Sequence, residues 1–158
     1  MDKQYYPVEI EEKWSKIWSE KVLSNKDSDA SFSQVIPPPN VTGTLHMGHS
    51  FQYAIMDFYT RYHHMSGKDA HWQVGADHAG IATQMVVENN LAKKDVTRKE
   101  LGREKFLEEV WSWKDYSEEK ITSQIKRLGC SVDWNKYRFT LDDGCNYAVI
   151  KAFVELHR

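Results

Sequence analysis

The sequence predicts an α/β fold, mostly helical by residue count, built on a parallel βαβ unit with additional helices. Three observations carry this expectation. Residues 32–36 and 70–74 read as short apolar strands, each broken off by a loop rich in proline or glycine. Between them runs a long amphipathic pattern of helical period. An order of strand, glycine-containing loop, helix and strand makes the two strands parallel neighbours joined by a right-handed crossover.

Taken in order, Pro7 opens a first helix, where its missing N–H costs nothing. Ile10, Trp14, Ile17 and Trp18 recur at helical spacing along it and expect a larger surface to dock on. The polar stretch at residues 24–29 is a loop, and the strand from Phe32 to Ile36 ends at Pro37, Pro38 and Pro39. A helix then starts near His46. Phe51, Ile55, Phe58, Tyr59, Tyr62 and Met65 share one of its sides, and Gly67 ends it as the residue beyond the cap. The second strand runs into Gly75-Ala76-Asp77-His78-Ala79-Gly80 and a helix through about Leu91. Thr97 and Glu100 form a capping box ahead of the segment from Leu101 to Trp111. Ile121, Ile125 and Leu128 continue a stripe that Gly129 stops, and Asp142 or Asp143 caps a last helix carrying Tyr147, Ile150, Phe153, Val154 and Leu156. Parallel sheets usually have more than two strands and two covered faces. With only two strands in view the chain reads as part of a larger domain; a weak strand within residues 130–140 is the alternative.

Composition narrows the function. The 158 residues include 41% hydrophobic ones, enough to build a core, and carry Lys+Arg 21 against Asp+Glu 23 for a net charge of −2. That balance argues against a histone-like or polybasic nucleic-acid binder. Two cysteines, Cys130 and Cys145, exclude a disulfide framework and a multi-cysteine zinc module. No segment approaches the roughly 18 apolar residues of a membrane span, and the N-terminus lacks the apolar run of a signal peptide. A soluble, cytoplasmic chain without membrane partners is expected.

Three loop features can carry chemistry, each against a plainer alternative. His46 and His49 are three apart at a helix N-terminus, where free N–H groups and the dipole favour a phosphate; Gly48 between them would let a flat ring approach the backbone. They can equally cap the helix or line a core. A metal pair is the third reading, with no cysteine or close carboxylate nearby to complete it. The triple proline leaves carbonyls free to accept from an ammonium group, or merely terminates a strand. Asp77 suits pairing with a cation at a strand's carboxyl end, or caps the following helix. The βαβ topology places both loops, 37–49 and 75–80, at one sheet edge.

Together these segments resemble the class I aminoacyl-tRNA synthetases, and within them the valyl branch. PPPNVTGTLHMGH at 37–49 is similar to that family's first signature, the His-x-Gly-His element. RYHHMSG (61–67), WQVGADHAGIATQMVVE (72–88), LGREKFLEEVW (101–111) and KRLGCSVDW (126–134) follow as valyl-type blocks in the right order, so the likeness runs from about Tyr5 to Arg158. It implies a partial Rossmann-like catalytic domain whose parent enzyme forms valyl-adenylate and pyrophosphate from L-valine and ATP, then passes the valyl group to tRNA(Val). It further implies that His46 and His49 contact the ATP phosphates and stabilise the transition state, with Gly48 beneath adenine and Asn40, Thr42 and Gly43 shaping the nucleotide pocket. The Pro37 carbonyl and the Asp77 carboxylate would hold the substrate ammonium, and Pro38 would line the side-chain pocket. Mg2+ is expected on the triphosphate, with no cofactor or metal bound by this segment.

The second family signature, a Lys-Met-Ser-Lys-Ser loop, is not found in these residues, nor are editing and anticodon-reading domains. The remaining C-terminal part of the same polypeptide is therefore an expected partner, and the fragment alone is expected to be inactive. The implied organisation is an N-terminal helical extension at 1–30, the first half of the catalytic domain at 31–92, and a helical segment at 93–158 leading towards an editing insertion. Two other readings stand beside it: a non-catalytic nucleotide- or RNA-binding module, and a different His-x-Gly-His nucleotidyltransferase. The latter needs a phosphate-gripping lysine, and Lys68, Lys93 and Lys94 have no motif around them. Residues 93–105 read as a solvated helix face, and residues 61–64 as a helix side, rather than RNA platforms.

Overall fold

A computed structural model describes residues 4–19 and 28–158. Of the loop expected at 24–29, all but Ser28 and Asp29 lies outside the described residues. In chain order the elements are α1 (Pro7–Ser19), β1 (Ser31–Val35), α2 (Met47–Met65), β2 (Asp69–Gln73), β3 (Gly75–Ala76), α3 (Gly80–Ala92), α4 (Arg98–Leu101), α5 (Arg103–Arg127), a single 3-10 turn (Trp134–Lys136), β4 (Arg138–Phe139) and α6 (Asp143–His157). They form two compact units. One comprises residues 1–37, 45–74 and 122–137, the other residues 38–44, 75–121 and 138–158.

In the first unit β1 and β2 pair in parallel, with Ser31 opposite Asp69 and Val35 opposite Gln73, and α2 is the helix between them. This is the expected βαβ unit, with both strands beginning one residue earlier than the apolar pattern suggested. Alternation in β2 buries Ala70 and Trp72 on one face. The fully buried Tyr53 of α2 meets Trp72 edge-on at 6.4 Å between ring centres. A polar clamp joins strand to helix: the Gln34 amide donates to the Met56 carbonyl and to Thr60 Oγ1, each at 2.6 Å.

The inward side of α2 therefore consists of Tyr53 and Thr60, and the apolar stripe from Phe51 to Met65 faces outward, with Phe51 70% and Met65 85% exposed. Gly67 adopts a φ of +84° just past the Ser66 cap, as a helix-ending glycine should. Asp57 ties the helix to the segment after α5. Its carboxylate pairs with Arg61 at 2.7 Å and accepts the Ser131 N–H at 2.7 Å. Arg61 also donates to the Gly129 carbonyl and lies 4.8 Å from the Trp18 ring centre. The helix side at 61–64 is thus engaged in packing, with His63 stacked on Phe32.

In the second unit β3 and β4 pair in parallel, Gly75 opposite Arg138 and Ala76 opposite Phe139. A Cβ on Gly75 would run into the Arg138 carbonyl oxygen, so only glycine allows this approach. β4 corrects the expectation of two strands: the alternative of a weak strand within 130–140 holds, in two residues too few for an alternating pattern to show. Val87, Leu91 and Phe106 form the core here, with Val96, Leu101, Val110 and Trp113 packed against them. The Thr97–Glu100 capping box forms, but it caps the four-residue α4 and not a continuous helix. Gly102 at φ +80° interrupts the chain before α5 restarts at Arg103. Asp142 caps α6 by accepting the Cys145 N–H at 2.7 Å, and α6 buries none of its residues.

Candidate active site

His46 is the N-cap of α2, with extended backbone at φ −120° and ψ 173°. Its Nδ1 accepts the Gly48 N–H at 3.0 Å, while its own backbone N–H donates to His49 Nδ1 at 3.2 Å. Two imidazoles thus take the places that a Ser/Thr and a Glu hold in an ordinary capping box. A backbone N–H can only donate, so both Nδ1 atoms are acceptors and the neutral rings carry their proton on Nε2. The capping reading is therefore correct, and it does not exclude the phosphate reading: capping through Nδ1 leaves two Nε2–H donors beside a helix N-terminus. The ring centres are 4.0 Å apart. Burial first, then the neighbouring His46, holds His49 below the ordinary histidine pKa of 6.5, which favours its neutral form.

Gly48 has a local reason of its own. A Cβ there would lie 2.8 Å from Cε1 and 3.0 Å from Nδ1 of His46, so glycine lets the imidazole fold back over the helix start. No described group of three or more His, Cys, Asp or Glu side chains could hold a metal. The metal-pair reading of the histidines finds no third ligand among the described residues.

The second loop is fixed through its backbone. Asn40 and Asp77 form a parallel bridge in which the Asp77 N–H donates to the Pro39 carbonyl at 2.8 Å and the Val41 N–H to the Asp77 carbonyl at 3.0 Å. Pro39 is buried, whereas Pro37, Pro38 and Asn40 are exposed. The Pro39 carbonyl is thus spent on the ladder. Thr42 and Gly43 are half-buried; the Gly43 carbonyl accepts the Ser117 hydroxyl at 2.9 Å and the Val41 carbonyl accepts the Trp113 indole N–H at 3.0 Å. These two contacts from α5 hold the PNVTG turn in shape.

The Asp77 carboxylate is not the cap of α3. That place belongs to Ala79, in the left-handed region at φ +47° with no side-chain capping bond. Asp77 Oδ1 instead accepts from the Ala79 N–H at 2.9 Å and from the Thr140 hydroxyl at 3.1 Å. With its side chain 38% exposed, the carboxylate is anchored yet reachable. Sequence reasoning missed Thr140 and His78. No spacing rule links Thr140 to a carboxylate 63 positions earlier. The structure therefore places His46, Gly48 and His49 together in the first unit, with Pro37, and gathers Pro38, Asn40, Thr42, Gly43 and Asp77 in the second.

A family model described as tRNA synthetases class I (I, L, M and V) matches residues 9–158. The chain belongs to the class I tRNA synthetases. Among relatives of this synthetase segment, a valine–tRNA ligase of Acinetobacter baylyi is 56% identical over 97% of the chain. Valine–tRNA ligases of Legionella pneumophila and Francisella tularensis are 52% and 50% identical, each over 99% of the chain. The chain spans 16–17% of the length of these relatives. A solved structure described as the ternary complex of Agrobacterium radiobacter K84 agnB2 LeuRS-tRNA-LeuAMS covers 98% of the chain and 18% of its own, with TM-score 0.76 at 21% identity. The class I synthetase fold that the resemblance implied is thereby present.

Proposed function

We propose that this segment is the part of a valine–tRNA ligase that carries half of its ATP and amino-acid site. The observation that carries this reading is the pairing of PPPNVTG with GADHAGIATQ in a chain 50–56% identical to valine–tRNA ligases over nearly its whole length. The parent enzyme converts L-valine and ATP to valyl-adenylate and pyrophosphate, then transfers the valyl group to tRNA(Val), in the cytoplasm.

In this reading His46 and His49 donate through Nε2–H to the ATP phosphates. The negative charge that develops on the phosphoryl oxygens meets donors oriented beforehand, which makes them stabilisers of the transition state. The N-terminus of α2 adds its dipole to the same end. Gly48 lies beneath adenine, and Asn40, Thr42 and Gly43 shape the nucleotide pocket, where two α5 hydrogen bonds support the turn. Asp77 and the Pro37 carbonyl hold the valine ammonium, and Pro38 lines the side-chain pocket. Magnesium belongs with the triphosphate as part of the nucleotide substrate.

Valine-dependent pyrophosphate exchange by the full-length polypeptide tests the proposal. His46→Ala and His49→Ala should each lower kcat by about 10²–10³, the usual cost of one such donor. Asp77→Ala should raise the KM for valine and spare that for ATP. A full-length enzyme that exchanges no better with valine than with other amino acids would overturn the assignment, as would brisk exchange by residues 1–158 alone.

A further inference from the structure

We infer that Thr140 is a positioning residue for the Asp77 carboxylate, and that His78 sets the direction of its hydroxyl proton. The inference rests on the proposed role of Asp77 in holding the amino acid's ammonium group.

The argument is one of counting protons. Thr140 follows β4 directly, and its backbone N–H donates to the Ala76 carbonyl at 3.1 Å, so its position is fixed by the short β3–β4 ladder. Its hydroxyl oxygen accepts the His78 backbone N–H at 2.9 Å. The same oxygen is 2.6 Å from His78 Nδ1 and 3.1 Å from Asp77 Oδ1. A hydroxyl has one proton and two lone pairs. With the proton of His78 on Nδ1, that N–H donates to Oγ1, both lone pairs are used, and the hydroxyl proton has only Asp77 to go to. With the His78 proton on Nε2, Nδ1 takes the hydroxyl proton and Asp77 loses this donor. The recorded Asp77–Thr140 bond thus requires the Nδ1–H form of His78, opposite to the tautomer of His46 and His49.

The consequence for Asp77 is geometric. Its backbone is clamped by the bridge to Asn40, and Oδ1 is held by the Ala79 N–H and the Thr140 hydroxyl. Both anchors converge on one oxygen, which fixes the rotation of the carboxylate and leaves Oδ2 to meet a cation. Without Thr140 the Ala79 N–H is left as the short contact to Oδ1, with His78 Nδ1 farther off at 3.4 Å, so the group can swing. A misplaced carboxylate still carries its charge, so the loss falls on amino-acid affinity and leaves the nucleotide untouched.

The test uses the full-length enzyme and pyrophosphate exchange with valine and ATP varied separately. Thr140→Val keeps the shape and removes the hydroxyl; the KM for valine should rise about tenfold with the KM for ATP within about twofold, a change comparable to losing one hydrogen bond to a charged group. Thr140→Ser should restore valine KM to within about threefold. In an Asp77→Asn background Thr140→Val should have little further effect, since it acts through that carboxylate. Equal rises in both KM values, no rescue by Ser, or full additivity with Asp77→Asn would overturn the inference. Should Thr140→Val lower the melting temperature strongly, Thr140→Ala and the same cycle decide. If Asp77→Asn itself leaves valine KM unchanged, the assigned role of Asp77 has failed; if Asp77→Asn raises it and Thr140→Val does not, only the role of Thr140 has.

Discussion

Gly48→Ala separates the stability of the α2 start from its chemistry. Gly48 is not at positive φ, so alanine is tolerated by the backbone itself. The obstacle is the His46 ring, whose Cε1 would be 2.8 Å and Nδ1 3.0 Å from the added methyl. The imidazole must swing away and give up the Gly48 N–H bond. Loss of an N-cap acceptor costs about 1 kcal/mol, while Gly→Ala within a helix returns up to about 1 kcal/mol. The two nearly cancel, so the melting temperature should move by only a few degrees. In the proposed role of His46, catalysis has no such compensation. Removing one oriented donor to the transition state costs about 10²–10³ in kcat.

The measurement is a thermal melt paired with valine-dependent pyrophosphate exchange, both on the full-length enzyme. Gly48→Ala should lose kcat while keeping its melting temperature, and His46→Ala combined with Gly48→Ala should be hardly worse than His46→Ala alone. A fall in ATP affinity with kcat intact would mean that the methyl clashes with the bound adenine instead of displacing His46. Additive losses in the double variant would refute the ring-displacement argument outright.

Three further outcomes follow from the geometry. Asp57→Ala leaves the Ser131 N–H without its acceptor and Arg61 with the Gly129 carbonyl as its acceptor, and should cost about 1–3 kcal/mol in urea unfolding; a change under about 0.5 kcal/mol would show that the clamp is replaced by water. His49 titrates below 6.5 in the folded chain, so its neutral form is favoured by folding. Its contribution is complete above pH 6.5 and is lost as the pH falls through the lowered value; an NMR midpoint at or above 6.5 would contradict this. Burial and the Asp57 charge push the Cys130 thiol up to about 12, so at pH 8 its alkylation should be on the order of 10³-fold slower than that of a free thiol, by mass spectrometry of labelled peptides.

The parts of the fold legible in the sequence were the local ones. A capping side chain and the backbone N–H it accepts lie three positions apart, so the Thr97–Glu100 box could be read directly and the cap of α6 narrowed to Asp142 or Asp143. The βαβ order was legible because prolines and glycines mark where each strand stops. The extent of the Thr97 helix was not, since Gly102 offers no side chain to reveal that it turns to positive φ. On α2 the strongest periodic signal, Phe51 to Met65, marks the exposed side, while the inward side is the inconspicuous pair Tyr53 and Thr60. Periodicity finds a face without saying what covers it. Of the candidate site, the histidine pair could be located but its two imidazoles could not be read as mutual caps. The Asp77–Thr140 contact depends on the β3–β4 pairing, which joins segments some sixty residues apart through strands of two residues.

The three consecutive prolines have an effect beyond stopping β1. Each pyrrolidine ring freezes one φ torsion, so the bend from Pro37 to Pro39 enters any encounter with its internal rotations already surrendered. A small molecule settling against it meets a wall that does not have to be organised first, and complementarity there is a matter of shape rather than adaptation. Replacing Pro38 with Ala should therefore register in a calorimeter as a more unfavourable entropy of association at nearly constant enthalpy.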